Sequence, residues 1–143
     1  MLLRTLVLDD SRIMRNMIKD ALRRSGLAEF EFTEAGDGQE GLSKFKPDQI
    51  DLVFIDWNMP KMTGIEFARK IRQMKNTDHI PLIMVTSEKT MDKVEVALNE
   101  AGVNAYISKP FTVKELQYKL SKVLESRAKT TKKSSGFFSK LMG

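Results

Sequence analysis

The fold is decided by the stretch Ile50-Asp51-Leu52-Val53-Phe54-Ile55-Asp56-Trp57-Asn58-Met59-Pro60. From Leu52 to Ile55 it contains only apolar, mostly β-favouring residues. A strand that is apolar on both faces is typical of the middle of a parallel sheet with helices on either side. Asp56 follows at the carboxyl end of this strand, the edge at which open α/β sheets hold ligands. The stretch therefore predicts a buried strand that delivers Asp56 to a functional edge of a sheet.

The rest of the chain predicts four more strands and five helices in alternation. The strands are expected at Thr5–Leu8, Glu29–Glu34, Ile80–Val85 and Ala105–Ile107. Helix N-caps are expected at Ser11 and Thr112. The first helix shows an apolar pattern at Ile13, Met14, Met17, Ile18, Ala21 and Leu22. Such alternation predicts an α/β fold, a flavodoxin-like (βα)5 three-layer sandwich with a parallel five-stranded sheet in the order 2-1-3-4-5.

Length and composition indicate an ordinary globular protein of one main domain. The chain has 143 residues and no cysteine, which excludes disulfides, thiolate metal sites and thiol catalysis. No apolar run approaches the length of a membrane span. The N-terminus lacks the charge and cleavage pattern of a signal peptide, so we expect a cytoplasmic protein.

The net charge of +5 comes entirely from the C-terminal end of the chain. Residues 1–126 hold all 19 acids and 19 of the 24 Lys and Arg, so they sum to zero. The basic residues 127–143 therefore form a separate tail after a main domain at 1–126, and the high pI does not indicate nucleic-acid binding. The tail reads as a flexible extension. Its apolar cluster at 137–142 makes a docking segment for a partner groove or an anionic membrane the alternative.

Polar side chains follow the predicted strands where each strand ends. In the order 2-1-3-4-5 the first and third strands are neighbours, so Asp9, Asp10 and Asp56 are expected to crowd together. Ionised carboxylates repel one another unless a cation or a proton intervenes. Lys109, after the fifth strand, supplies one positive charge. Mg²⁺ would offset the remaining negative charge, because it binds one or two carboxylates together with waters and a phosphoryl oxygen.

These side chains suit phosphoryl transfer to a carboxylate. A carboxylate is a competent nucleophile for making an acyl phosphate, and the protein must then neutralise the phosphoryl oxygens and donate to them. Asp56 is the candidate nucleophile, and Asp10 with Asp9 is the candidate metal site. Lys109 and the Thr86 hydroxyl are the candidates for pairing with phosphoryl oxygens.

Four separated motifs, in this order, resemble the signature of receiver domains of two-component response regulators. They are Asp9-Asp10, Asp56-Trp57-Asn58-Met59-Pro60, Thr86-Ser87-Glu88 and Tyr106-Ile107-Ser108-Lys109-Pro110. Within that family the chain is most similar to the stand-alone CheY-type chemotaxis regulators. The resemblance covers residues 1–126.

The resemblance implies that Asp56 accepts a phosphoryl group from a sensor histidine kinase or a phosphotransfer domain. It also implies an Mg²⁺ ion bound by Asp10, Asp56 and the backbone carbonyl of Asn58, with Asp9 acting through water. Asn58 and Glu88 flank the phosphorylation site and are expected to tune the lifetime of the acyl phosphate.

The resemblance further implies a conformational switch made by Thr86 and Tyr106. Phosphorylation is expected to draw the Thr86 hydroxyl inward, and the Tyr106 ring then rotates into the vacated space. The face of the fourth helix, fifth strand and fifth helix is thereby remodelled for a protein target. A cis bond at Lys109–Pro110 is expected to orient Lys109 inward. The chain is then a switch protein and no enzyme, since it catalyses only its own phosphorylation and dephosphorylation.

Other interpretations stay open for single features and for the whole chain. Asp9-Asp10 alone could be an N-cap pair at a helix dipole. The basic residues of the first helix could be a solvated face or, as in this family, a docking surface for a phosphotransfer domain. The chain as a whole could be a phosphorylation-independent interaction module. An aspartyl-phosphate phosphatase is the second alternative for the whole chain, although the adjacent acids and the lack of a cap domain argue against it.

Overall fold

The computed structural model describes the backbone of residues 1–142 and the side chains of residues 1–127, in which five strands alternate with five helices. The strands are β1 (Leu2–Leu8), β2 (Glu29–Ala35), β3 (Leu52–Ile55), β4 (Leu82–Thr86) and β5 (Ala105–Ser108). The helices are α1 (Arg12–Ser25), α2 (Gly38–Lys44), α3 (Gly64–Gln73), α4 (Met91–Glu95) with a following π-helical turn (Val96–Glu100), and α5 (Val113–Met142). The side chains of the predicted tail from residue 128 onward lie outside the described residues.

All strand pairs of the sheet are parallel, and the strand order is β2-β1-β3-β4-β5, which confirms the predicted fold. β1 and β3 end in register, with Leu8 level with Ile55. The backbone N–H of Asp56 continues the ladder and donates to the Leu8 carbonyl at 2.9 Å. The residues that follow the two strands, Asp9 and Asp56, therefore start from adjacent positions on the same edge.

The sheet is covered on both faces, as the apolar run in β3 predicted. Alternate residues of β3 belong to opposite cores: Val53 and Ile55 pack toward α2 and α3, and Leu52 and Phe54 pack toward α1 and α5. All four of these side chains are buried. In the part of the chain that the structure describes, no helix combines the length and the apolarity needed to cross a bilayer.

The caps of α1 and α5 are those predicted, but the buried stripe of α1 is narrower than expected. Ser11 Oγ accepts a hydrogen bond from the Met14 N–H at 3.2 Å, and Thr112 caps α5 in the same way. Ile13 is 74% exposed and Met17 is 46% exposed. Each helical residue turns the side chain by about 100°. These two side chains therefore point away from the sector centred on the buried Ile18, Ala21 and Leu22.

An ion pair joins β1 to the residue before β3, at the end of the sheet opposite the strand carboxyl ends. Arg4 Nε and Nη2 donate to the two carboxylate oxygens of Asp51 at 3.0 and 3.1 Å, and the Arg4 N–H adds a third bond at 2.8 Å. These hydrogen bonds hold the pKa of Asp51 below its ordinary value of 3.8. The ionised carboxylate therefore ties the start of β3 to β1.

We expect Asp51→Asn to lower Tm at pH 7 by about 3 °C. Because the pKa of Asp51 is lower in the folded chain than in the unfolded chain, its stabilisation is present above pH 3.8 and is lost as the pH falls through the folded-state value. Thermal melts of both proteins between pH 7 and pH 2 should therefore approach one another below pH 3.8. A Tm difference that stays constant over this range would show that the charge of Asp51 is not what stabilises the fold.

Candidate functional site

Three carboxylates meet at the carboxyl ends of β1 and β3. Oxygens of Asp9, Asp10 and Asp56 lie within 4.8 Å of one another. Asp9 is 1% exposed and Asp56 is 8% exposed, whereas Asp10 faces solvent. The predicted acidic cluster is thus present, with two members buried and the third at the mouth of the site.

Lys109 follows β5, the edge strand on the β4 side of β3, and its side chain extends to this cluster. Its Nζ lies 2.7 Å from Asp9 Oδ2 and 3.1 Å from Asp56 Oδ2, so one ammonium bridges both buried acids. Burial opposes the charged ammonium, but the hydrogen bond to Asp9 and the charge of Asp56 outweigh it and raise the pKa of Lys109. The predicted cis bond at Lys109–Pro110 is also present.

Asp9 is constrained at both carboxylate oxygens. Oδ1 accepts the Ser11 N–H at 2.9 Å, and Oδ2 accepts Lys109. Burial raises the pKa of Asp9 despite these hydrogen bonds and the charge of Lys109. The site thus holds three carboxylates beside one lysine, an excess of negative charge in a partly buried place.

The donor set fits a hard divalent cation. The three clustered side chains offer carboxylate oxygens and Asn58 offers a backbone carbonyl oxygen. Mg²⁺ prefers such oxygen ligands, and it keeps several waters when only one or two carboxylates bind it. Because Ser11 and Lys109 already occupy the Asp9 oxygens, Asp9 is better suited to a water-mediated contact than to direct binding. The exposed Asp10 carboxylate suits direct binding.

The loop after β3 is held close to α3 by a glycine. The N–H of Gly64 donates to the Trp57 carbonyl at 2.8 Å. A Cβ placed on Gly64 would lie 2.0 Å from the Asp56 carbonyl oxygen, closer than any real contact. The backbone of Asp56 is therefore positioned by a contact that only glycine permits at position 64.

We expect Gly64→Ala to destabilise the fold by about 3 kcal/mol, because the clash is with backbone and must move the Asp56 loop. Urea unfolding measures the loss. Gly36→Ala is the matched control, since a Cβ there meets its nearest atom at 3.7 Å, an ordinary contact. Equal losses in the two variants would argue against a special role of the Gly64 contact.

The predicted switch residues Thr86 and Tyr106 meet at the backbone of Glu88. Thr86 is 0% exposed, and its Oγ1 accepts the Glu88 N–H at 3.3 Å. Tyr106 is 6% exposed, and its hydroxyl donates to the Glu88 carbonyl. Burial, with the charges of Glu88 and Asp56, raises the pKa of Tyr106 to about 12, so the hydroxyl stays protonated.

The Glu88 side chain links the loop after β4 to the loop after β3, which carries Asp56 and Asn58. Asn58 Nδ2 donates to Glu88 Oε1 at 3.0 Å, and Lys93 Nζ lies 2.8 Å from Glu88 Oε2. The hydrogen bonds from Asn58 and Lys93 lower the pKa of Glu88. Lys93 also lies over the Trp57 ring, 5.4 Å from its centroid. The structure thus brings Asn58 and Glu88 into direct contact.

Sequence reasoning missed three residues of this neighbourhood. Lys93 lies in the first turn of α4, and nothing in its sequence context indicated that it would pair with Glu88. Gly64 follows the N-cap Thr63 at the start of α3, and the sequence does not show that its backbone approaches Asp56. Arg15 was counted among the basic residues of α1, yet its Nη1 donates to the Asp9 carbonyl at 2.6 Å.

A family model and two relatives of known name agree on one protein family. The family of the response regulator receiver domain matches residues 5–121. The chain is 38% identical to the chemotaxis protein CheY of Pseudomonas aeruginosa, over 86% of this chain and 97% of that protein. It is 42% identical to the chemotaxis protein CheY homolog of Campylobacter jejuni, over 85% and 92% respectively.

Solved structures show the same fold. The crystallised chemotaxis protein CheY4 of Vibrio cholerae superposes with a TM-score of 0.75 at 32% identity, over 86% of this chain and 99% of that chain. A CheY-like receiver domain protein from Methanospirillum hungatei gives a TM-score of 0.77 at 30% identity, over 91% and 99%.

Proposed function

The chain belongs to the response regulator receiver domain family, and we propose that it is a phosphorylation-controlled switch whose phosphoryl acceptor is Asp56. The donor is a sensor histidine kinase or a phosphotransfer domain, the partners with which receiver domains interact. The single observation that carries the proposal is the Lys109 ammonium bridging Asp9 and Asp56 beside the exposed Asp10.

Each side chain of the site has a role in this reaction. An Asp56 carboxylate oxygen attacks the phosphorus, and the donor imidazole leaves. Lys109 is close enough to Asp56 to exchange its carboxylate contact for one with a phosphoryl oxygen. Thr86, on the adjacent strand end, donates its hydroxyl to another phosphoryl oxygen. Asn58 and Glu88, paired at 3.0 Å, control the access of water to the acyl phosphate and so its lifetime.

The proposed metal is Mg²⁺, held by Asp10, Asp56 and the backbone carbonyl of Asn58, with Asp9 acting through water. When bound, the ion neutralises charge on the transferred phosphoryl group. The chain's own residues hold the acceptor carboxylate still and shield it from bulk water, since Asp56 is 8% exposed.

The proposed output is a protein target bound on the face of α4, β5 and α5. A groove of about 680 Å³ lies on this face, and Val94, Leu98, Tyr106, Tyr118, Lys119 and Lys122 are among its lining residues. Phosphorylation acts on this face through Thr86 and Tyr106, which share contacts with Glu88. A function in chemotaxis is favoured by the names of the relatives.

Intact mass spectrometry after incubation with acetyl phosphate and Mg²⁺ tests the proposal. We expect one phosphoryl group per chain, labile to hydroxylamine, and none when EDTA replaces Mg²⁺. A target that binds the untreated and the phosphorylated chain equally would favour the phosphorylation-independent module instead. Continuous turnover of a phosphomonoester, without a protein adduct as the end state, would favour a phosphatase.

A further inference from the structure

Arg15 of α1 lies against the acidic site without belonging to it. Its Nη1 donates to the carbonyl oxygen of Asp9 at 2.6 Å, a short charge-assisted hydrogen bond. Its Nε donates to Glu34 Oε1 of β2 at 3.1 Å. The Arg15 side chain is only 17% exposed, so it is committed to these two contacts and is not part of a solvated helix face.

The carbonyl that Arg15 holds belongs to the peptide unit between Asp9 and Asp10. Because that unit is planar, fixing its oxygen also fixes the direction of the Asp10 N–H and Cα. The other side of Asp9 is fixed as well, since its N–H donates to the Ala35 carbonyl at 3.1 Å. Arg15 therefore holds the backbone from which the exposed Asp10 side chain extends.

Glu34 in turn holds Arg15 in place. It receives Arg15 on one carboxylate oxygen and Lys19 Nζ, at 3.0 Å, on the other. Burial acts in the opposite direction, but these two hydrogen bonds keep the pKa of Glu34 below its ordinary value.

We propose that Arg15 is a positioning residue for the cation site: anchored by Glu34, it fixes the Asp9–Asp10 peptide so that the Asp10 carboxylate is preorganised for Mg²⁺. This inference rests on the proposed Mg²⁺ site. It also means that Arg15 and Lys19 are engaged within the chain, which leaves fewer basic residues of α1 for docking a donor protein.

The positive charge of Arg15 and its positioning role predict opposite changes in Mg²⁺ affinity when Arg15 is replaced. Removing a positive charge beside an acidic site strengthens cation binding by Coulomb attraction. Removing a residue that orients a ligand weakens binding, by about 10-fold for outer partners of metal ligands. Lys19 offers the matched control, because it pairs with the same Glu34 from the same helix and carries the same charge, yet its described hydrogen bond reaches Glu34 and not the Asp9 carbonyl.

The test is Mg²⁺ titration by isothermal calorimetry on the full chain, with circular dichroism to confirm folding. We expect Arg15→Met to weaken Mg²⁺ binding by about 10-fold and Lys19→Met to leave it within about 2-fold. Arg15→Lys keeps the charge but cannot hold both partners, so it should also bind more weakly; it replaces Arg15→Met in the test if that variant fails to fold.

Two outcomes would overturn the inference. If Arg15→Met binds Mg²⁺ as tightly as the wild type or more tightly, Arg15 acts by charge alone. If Arg15→Met and Lys19→Met weaken binding equally, the effect belongs to the whole Glu34 cluster. Absence of Mg²⁺ binding in the wild type would instead remove the proposed metal site, and this inference with it.

Discussion

Asparagine in place of Asp56 is expected to abolish phosphoryl incorporation, with a loss of at least on the order of 1000-fold. The amide has nearly the shape of the carboxylate but no anionic oxygen to attack phosphorus. We do not expect the other two acids to substitute for it, since both Asp9 oxygens already accept hydrogen bonds and Asp10 is assigned to the proposed cation site. Phosphoryl incorporation from acetyl phosphate, followed by intact mass over time, measures the loss.

Loss of incorporation is informative only if the Asp56→Asn chain remains folded. The substitution removes one of three mutually repelling carboxylates, so we expect its Tm in metal-free buffer to rise by about 3 °C. Asp37→Asn is the control for removing an acid outside the cluster, since Asp37 caps α2. That variant should still incorporate one phosphoryl group. Undiminished incorporation in Asp56→Asn would contradict the assignment of the acceptor.

Methionine in place of Lys109 is expected to have the second-largest effect, on stability and on reaction together. It leaves the buried carboxylates of Asp9 and Asp56 without their bridging cation. Removing one partner of a buried ion pair is strongly destabilising, here by roughly 3 kcal/mol at pH 7 in metal-free buffer. Because the variant also lacks the proposed donor to the transferred group, phosphoryl incorporation should fall by about 100-fold.

Denaturant unfolding with and without Mg²⁺ measures the first part of this prediction. Mg²⁺ should restore part of the stability lost in Lys109→Met, because a cation that binds only the folded state stabilises it by mass action. Lys61→Met is the matched control: Lys61 is a neighbouring loop lysine with a 60% exposed side chain and a 3.7 Å pair to Asp37. Its stability should be unchanged. Equal losses in both variants would argue against a special ion pair at Lys109.

Those elements that depend on local patterns could be predicted from the sequence. The run at Leu52–Ile55 has no polar residue, which indicated a strand buried on both faces, and strand alternation then left few topologies. That topology also predicted that the residues after the strands lie together, because parallel strands place their carboxyl ends at one edge of the sheet. The crowding of Asp9, Asp10 and Asp56 is a consequence of that order, and the four motifs of the family resemblance were consistent with it.

The contacts that depend on side-chain reach and rotation could not be predicted. Ile13 and Met17 fit a helical apolar pattern, yet only the packing of α1 decides which part of the pattern is buried. Arg15 looks like any other basic residue of an amphipathic helix until its distance to the Asp9 carbonyl is known. Lys93 likewise reaches Glu88 and Trp57 across a loop whose path the sequence does not specify.

The central claim is that one of three neighbouring carboxylates, Asp56, is the phosphoryl acceptor. The most direct test is to locate the phosphoryl group by acid proteolysis and tandem mass spectrometry of the chain treated with acetyl phosphate and Mg²⁺. We predict that the group is found on the peptide that contains Asp56 and is absent from the peptide that contains Asp9 and Asp10. A phosphoryl group on that second peptide would contradict the assignment.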